Sequence, residues 1–274
     1  TPPPPRPLAE PARPRAYADL AEAAVRGEVQ GPSAGGEQPK FTAYAVLDGG
    51  PAHVIVKFTA QTDTAVSERW RDLLWTEHTA LAVLRDHGVA AARTNVYAHG
   101  AQRFLEVQRF DRDGPLGRRA LFSIAALDAE FVGSAGPWPG VVRALAREGI
   151  VHREAVAGTD LLWAFGTLIA NTDMHGGNLS FMAEHGRPYE LAPAYDMTCM
   201  GFAPSSTGDL PERELPLHIS GDVSAAAWHR ALTMAQDFLA RLQRSPHLSE
   251  GFGPCVAALT ARISDAADRI ARLA

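Results

Sequence analysis

The stretch Leu168-Ile169-Ala170-Asn171-Thr172-Asp173-Met174-His175-Gly176-Gly177-Asn178-Leu179-Ser180-Phe181, followed shortly by Tyr195-Asp196-Met197, decides how the rest of this chain is read. An apolar run with helical spacing leads into a polar loop holding Asp173, His175 and Asn178, which leaves through an apolar segment patterned as a strand. Chemistry-bearing residues on a loop between regular elements form an active-site layout, because the scaffold fixes the loop while its side chains stay accessible.

Asp173 and Asn178 are spaced D-x-x-x-x-N. That spacing suits phosphoryl transfer, in which the Asp takes the proton of an acceptor hydroxyl and the Asn oxygen helps to hold a magnesium ion. Asp196 is then the second metal ligand, since Mg²⁺ accepts one or two carboxylates and fills its shell with substrate phosphates. Gly176 and Gly177 are expected to let the backbone turn tightly between base and ligand. The same residue types favour solvated turns, so the spacing alone also admits a plain turn after a buried helix.

Taken together, N-T-D-M-H-G-G-N-L-S-F and L-A-P-A-Y-D-M resemble the catalytic core of the HipA-like serine/threonine kinases, bacterial toxins of two-lobed kinase fold. The resemblance implies further landmarks upstream in a set order. Ser33-Ala34-Gly35-Gly36-Glu37-Gln38-Pro39-Lys40 is similar to the family's phosphate loop, and a strand is expected directly after it, over residues 41–47. By itself the loop reads first as a plain surface turn. The resemblance implies that Ser33 is autophosphorylated, expelling the loop and switching the kinase off; the added charge of about −1.5 to −2 would repel bound ATP.

His53-Val54-Ile55-Val56-Lys57-Phe58 is a β-branched strand ending in a lysine suited to nucleotide phosphates, or simply an edge strand closed by Lys. Residues 66–87 have helical spacing and end at Gly88. That helix is expected to be the small lobe's one long helix. It offers Glu77, with Glu68 in reserve, as the ion-pair partner of Lys57; either could equally be a solvated surface charge. Residues 96–110 read as two strands about a turn at His99-Gly100, finishing in Gln108-Arg109-Phe110-Asp111-Arg112. HipA-like kinases have E-R-F-D-R there, as the hinge that holds adenine. Gln108 replaces the usual Glu, which leaves backbone contacts open and puts side-chain contacts in doubt.

At 274 residues the chain is long enough for two lobes, and 46% hydrophobic with 21% charged residues is ordinary for a globular protein. A net charge of −5 argues against a broad nucleic-acid or anionic-membrane surface. Two cysteines, no Cys-x-x-Cys and no apolar run of about 20 residues disfavour structural zinc and a membrane span, and place the chain in the cytoplasm. Residues 1–15, rich in proline, read as an extended linker or terminus, and suggest an upstream module, of helix-turn-helix type in some relatives.

Beyond the hinge, residues 114–119 read as a basic loop, 141–149 and 153–171 as helices, 201–217 as a long loop, and 223–244 and 252–273 as amphipathic helices. The expectation is a two-lobed α+β kinase-like fold: a strand-rich N-lobe over 16–110 and a helical C-lobe over 111–274. ATP and Mg²⁺ are the expected cofactors. Asp173 is the catalytic residue. Residues Ser33 to Lys40, Lys57, Gln108, Arg109, Phe110, His175 and Asn178 bind ATP, and Asn178 and Asp196 hold the metal. The substrate is a Ser or Thr hydroxyl of a cellular protein. An antitoxin is an implied partner, with DNA reached only through it or through an upstream module. A small-molecule phosphotransferase, a metal-dependent nuclease using Asp173, His175, Asn178 and Asp196, and a non-catalytic regulator are the alternatives.

Overall fold

The computed structural model describes residues 5–28, 38–205 and 215–273. The phosphate-loop residues Ser33 to Glu37 therefore lie outside the described residues, as does most of the long loop expected over 201–217. A 3₁₀ turn at Glu10–Ala12 runs into helix α1, Arg13–Val25. Pro11 and Pro14 occupy first-turn positions of these helices, where a missing N–H costs nothing. The segment expected to be a linker through residue 15 is thus partly a helix start. Just before it, Leu8 bridges to Ala45 and exchanges backbone hydrogen bonds with Tyr44 and Val46.

Strands β1 (Lys40–Leu47), β2 (Gly50–Phe58), β3 (Thr94–His99) and β4 (Gln102–Gln108) form an antiparallel sheet in the order β1-β2-β4-β3, with helix α2 (Ala65–Asp86) inserted between β2 and β3. Alternation along β2 divides its side chains between two faces. Val54, Val56 and Phe58 pack with Phe41, Phe104 and Tyr17 of α1 on the outer face. Lys57 points the other way, toward α2 and the cleft. On the outer face the buried Glu106 takes two hydrogen bonds of 3.0 Å from the Arg13 guanidinium, one from the Tyr17 hydroxyl and one of 2.8 Å from the Asn95 amide.

Helix α2 starts at a capping box, in which Thr64 and Ser67 exchange hydrogen bonds, and ends before Gly88 at φ +75°. It is not the private helix of the small lobe that its position suggests. Leu74 packs with Leu105 and Val107 of the sheet, whereas Leu73, Ala80, Leu81, Val83 and Leu84 belong to the core of the large lobe. With α1 covering one sheet face, α2 lies between the other face and the large lobe.

After the hinge a short hairpin, β5 (Arg112–Asp113) and β6 (Gly117–Arg118), has its turn and second strand within the stretch expected as a basic loop. Then come β7 (Leu121–Ser123) and helices α3 (Ile124–Phe131), α4 (Trp138–Arg147) and α5 (Glu154–Leu168). Strands β8 (Ser180–Met182) and β9 (Glu190–Leu191) join β7 in a small sheet, and helices α6 (Ala225–Gln243) and α7 (Gly253–Ile270) complete the lobe. Helix α4 begins earlier than the expected 141 because Pro139 suits a helix's first turn. Helix α5 stops short of the expected Asn171. Ala170 turns into the left-handed region at φ +61°, and the N–H groups of Asn171 and Ala170 return to the carbonyls of Gly166 and Thr167. This is the Schellman closure of a helix. No helix among the described residues is long and apolar enough to cross a membrane.

Candidate active site

The end of α5 releases the chain into the loop that carries Asp173, His175 and Asn178, and four hydrogen bonds set its shape. Asn171 Oδ1 accepts from the Asp173 N–H at 3.0 Å, and the Asn178 amide donates to the Asp173 carbonyl at 2.8 Å. The Gly177 N–H donates to His175 Nδ1 at 2.9 Å, and the Trp138 indole donates to the His175 carbonyl at 2.9 Å. The Asn178 NH₂ is thereby committed to the backbone. Asp173 remains roughly half exposed, with His175 Nε2 at 3.8 Å.

Gly176 and Gly177 form the tight turn expected of them, across which the Asn178 N–H returns to the His175 carbonyl at 3.1 Å, although neither has a positive φ. They also permit close approach. A Cβ on Gly176 would stand 2.9 Å from the Cβ of Ala125 at the start of α3, and one on Gly177 would stand 2.7 Å from Cε1 of His175.

Above the loop, Lys57 Nζ lies 2.8 Å from both carboxylate oxygens of Glu77 and 2.6 Å from Asp196 Oδ1. Glu77, rather than Glu68, is therefore the partner on α2. Thr198 donates a further 3.0 Å hydrogen bond to Glu77. Asp196 sits at φ +55°, an unfavourable region for a side-chain-bearing residue. It is held there by its neighbours: Ala194 exchanges backbone hydrogen bonds with Ala90 and Ala92, while the Tyr195 hydroxyl donates to the Gly177 carbonyl at 2.7 Å.

The charges of this trio act on one another. Burial opposes the Lys57 ammonium, but Asp196 and Glu77 outweigh it and hold the lysine above its usual pKa. Burial likewise pushes Asp196 upward, and Lys57 reverses this to keep its carboxyl below the usual range. For Glu77 burial prevails, aided by the charge of Asp196 and only partly offset by Lys57, so its pKa is raised.

Lys40 stands directly opposite Lys57 in the β1–β2 register, on the same sheet face. Like charges so placed repel, and Asp196 relieves part of that repulsion. These two are the only lysines in the chain, although Lys and Arg together number 26. A sequence that uses arginine everywhere else and keeps the compact ammonium at two facing positions carried a signal for this site.

A cavity of about 510 Å³ brings together Gln38, Lys40, Lys57, Glu77, Asp173, His175 and Asp196, walled by Trp70 and Leu73 of α2 and by Met200 and Pro204. Asn178 and the hinge residues do not line it. The hinge lies beyond Tyr195, whose ring meets Phe110 at 5.9 Å. The Gln108 N–H donates to the Arg93 carbonyl and the Arg109 N–H to the His53 carbonyl, which withdraws both donors from a nucleotide base. The Arg109 guanidinium is bound to Asp111 at 2.6 and 2.8 Å. Pro39 borders a smaller cavity beside Gln38. Reading by motif singled out Asp196 but passed over its neighbours Tyr195 and Thr198 and the distant Trp138, whose roles depend on partners remote in the chain.

The family profile of the HipA-like C-terminal domain matches residues 32–259. This chain belongs to the HipA-like C-terminal domain family. Over 258 residues, 94% of its length, it is 43% identical to Toxin YjjJ of Escherichia coli (strain K12), and it spans 58% of that relative's length. HipA of Shewanella oneidensis MR-1, solved with HipB and operator DNA, has the same fold at a TM-score of 0.61 and 17% identity, over 92% of this chain and 70% of that one. The Helicobacter pylori proinflammatory kinase CtkA matches at a TM-score of 0.60 and 14% identity, over 89% of this chain and 95% of that one. The HipA-like chain thus has the two-lobed α+β kinase-like fold.

Proposed function

We propose that this HipA-like chain is an ATP- and Mg²⁺-dependent serine/threonine protein kinase of toxin type. The observation that carries the reading is the convergence of Lys57, Glu77 and Asp196 on a cleft that also holds Asp173. Hard oxygen donors from Asn178 and Asp196 suit Mg²⁺, with phosphates filling the remaining positions. When bound, the ion would neutralise phosphate charge and polarise the γ-phosphoryl group.

The chain's own residues supply the rest. Lys57 and Lys40 attract and orient the phosphates, and Glu77 keeps Lys57 extended into the cleft. Asp173 accepts the proton of the acceptor hydroxyl as its oxygen bonds to the γ-phosphorus. The bond from that phosphorus to the bridging oxygen breaks, and ADP leaves with the electron pair. Most of the acceleration comes from positioning and charge stabilisation. The hinge contributes carbonyl oxygens and the Phe110 N–H toward adenine, given that its other donors are engaged.

Ser33 is the proposed self-inhibition site. It lies a few residues before Gln38 and Lys40, which line the cleft, so a phosphate there would bring negative charge beside the nucleotide's own. Growth arrest through a phosphorylated cellular protein, and restraint by an antitoxin partner, follow from the family reading.

The test is incubation of the chain with Mg²⁺ and γ-labelled ATP, beside Asp173→Asn and Ser33→Ala, with phosphosites mapped by mass spectrometry. Wild type should label Ser33, and Asp173→Asn should lose about 10²–10⁴-fold in rate while still binding ATP. Absence of label from every variant, with ATP binding intact, would overturn the protein-kinase reading in favour of a small-molecule phosphotransferase or a non-catalytic platform.

A further inference from the structure

Glu77 is placed only as well as α2 is, and the small sheet does not hold that helix alone. Polar anchors of its N-terminal half converge on residues 247–252, the connection between α6 and α7 in the large lobe. Asp72, 2% exposed, accepts from the Ser249 N–H at 2.9 Å and from the Ser249 hydroxyl at 2.6 Å. Arg69, also buried, donates to the carbonyls of Phe202 at 3.0 Å and Gly251 at 3.3 Å, with its guanidinium 5.5 Å from the Phe252 ring. Arg103 of β4 ties the same region together, donating to the carbonyls of Arg71 at 2.8 Å and His247 at 3.0 Å. The Trp75 and His247 rings lie 4.1 Å apart.

These contacts have a mechanical consequence. Asp72 and Arg69 precede Glu77 by one to two helical turns, about 8–12 Å along the axis. A tilt of α2 at that end would be carried to Glu77. A buried carboxylate that loses its hydrogen bonds is driven to rearrange or to draw in water, because burial without partners is costly. Nothing in the proposed chemistry uses Asp72, Arg69 or Ser249 directly, yet each is committed to holding α2 against the large lobe.

We infer that the 247–252 connection is a clamp that sets the position of α2, and through it the Lys57–Glu77 pair, with Asp72, Arg69 and Ser249 as positioning residues of the site. Its catalytic consequence rests on the phosphotransfer reading above, whereas its effect on the ion pair does not. Lys40 and Lys57 are the only lysines, so amine acylation followed by peptide mapping reports on Lys57 without interference.

The experiment compares wild type with Ser249→Ala, Ser249→Thr and Asp72→Asn, with Glu77→Gln marking the unpaired state of Lys57. Folding of each is checked by circular dichroism. A shifted α2 withdraws Glu77 from its 2.8 Å contact with the buried Lys57 amine and opens that amine to reagent, so Ser249→Ala and Asp72→Asn should raise Lys57 acylation several-fold toward the Glu77→Gln level. Phosphoryl transfer should fall about tenfold in kcat with the KM for ATP nearly unchanged. Ser249→Thr, which keeps the hydroxyl, should restore both. Lys57 acylation equal to wild type in folded Ser249→Ala and Asp72→Asn would overturn the clamp, whatever the activity. Acylation behaving as expected in a wild-type protein that transfers no phosphate would keep the clamp and overturn the kinase reading instead.

Discussion

Gly176 shows how closely the loop of the candidate site is fitted to its surroundings at the level of one side chain. Its φ is ordinary, so alanine is conformationally acceptable there, but the new Cβ would press on the Cβ and backbone of Ala125, at 2.9 to 3.3 Å. Backbone cannot yield as a flexible side-chain tip does. Gly176→Ala is expected to cost about 1–3 kcal/mol, lowering Tm by roughly 2–10 °C, and to reduce phosphoryl transfer by more than that instability explains, since the displaced loop carries Asp173. Calorimetry and a labelled-ATP assay on the same preparation check both parts. Gly140 is the control: it lies in the first turn of α4 with nothing within 4 Å of an added Cβ, and Gly140→Ala should leave activity intact and stability equal or slightly higher. The same contrast explains what was legible at this scale. Asp173, Asn178 and Asp196 could be named from residue type and spacing, whereas the reason for Gly176 is an alanine fifty-one positions upstream.

At the scale of elements, α1 and α2 divide the two faces of the small sheet, and each holds a buried charge pair. On the outer face Arg13 answers Glu106, whose side chain is 1% exposed. Removing one partner of such a pair leaves an uncompensated charge, typically at about 3–5 kcal/mol. The Tyr17 and Asn95 hydrogen bonds to Glu106 remain, so Arg13→Met should fall near the lower end of that range, and Arg13→Met combined with Glu106→Gln should recover most of the loss. Urea unfolding of the two variants tests this; an additive rather than compensating double variant would show that the pair does not act as a unit. Little of it was readable beforehand. A run of prolines suggested an extended linker, because proline's helix-starting role appears only when the residues after it find a surface to cover.

For the whole molecule, acid sensitivity should be set in part by His78 on α2. Burial, with Arg85 and His247 adding positive charge nearby, pushes its pKa down to about 4. Thr94 Oγ1 lies 2.8 Å from its Nδ1. The unfolded chain protonates this imidazole near its ordinary value of about 6.5, so below that pH the unfolded state binds the extra proton and the folded state does not. Stability from this group is complete above about pH 6.5 and is lost as pH falls through about 4, in total on the order of 3 kcal/mol. His78→Gln should flatten that part of the stability–pH curve measured by chemical unfolding between pH 7 and 4. A slope unchanged from wild type would show that His78 is readily protonated in the folded protein.

The sequence by itself carried the resemblance to the family, the order of its landmarks, the existence of most strands and helices, and the candidates Lys57, Asp173, Asn178 and Asp196, with Glu77 and Glu68 both open. The elements depend on local periodicity and the candidates on short motifs, which are properties of neighbouring residues. Only the tertiary structure decided that α2 is shared between lobes, that Lys40 faces Lys57, that the hinge N–H groups are engaged by Arg93 and His53, and that Ser249 reaches Asp72. Each of those depends on strand register or on packing between segments far apart in the chain. A one-residue change in register would reverse the faces of β2 and send Lys57 away from the cleft, without altering a single local pattern.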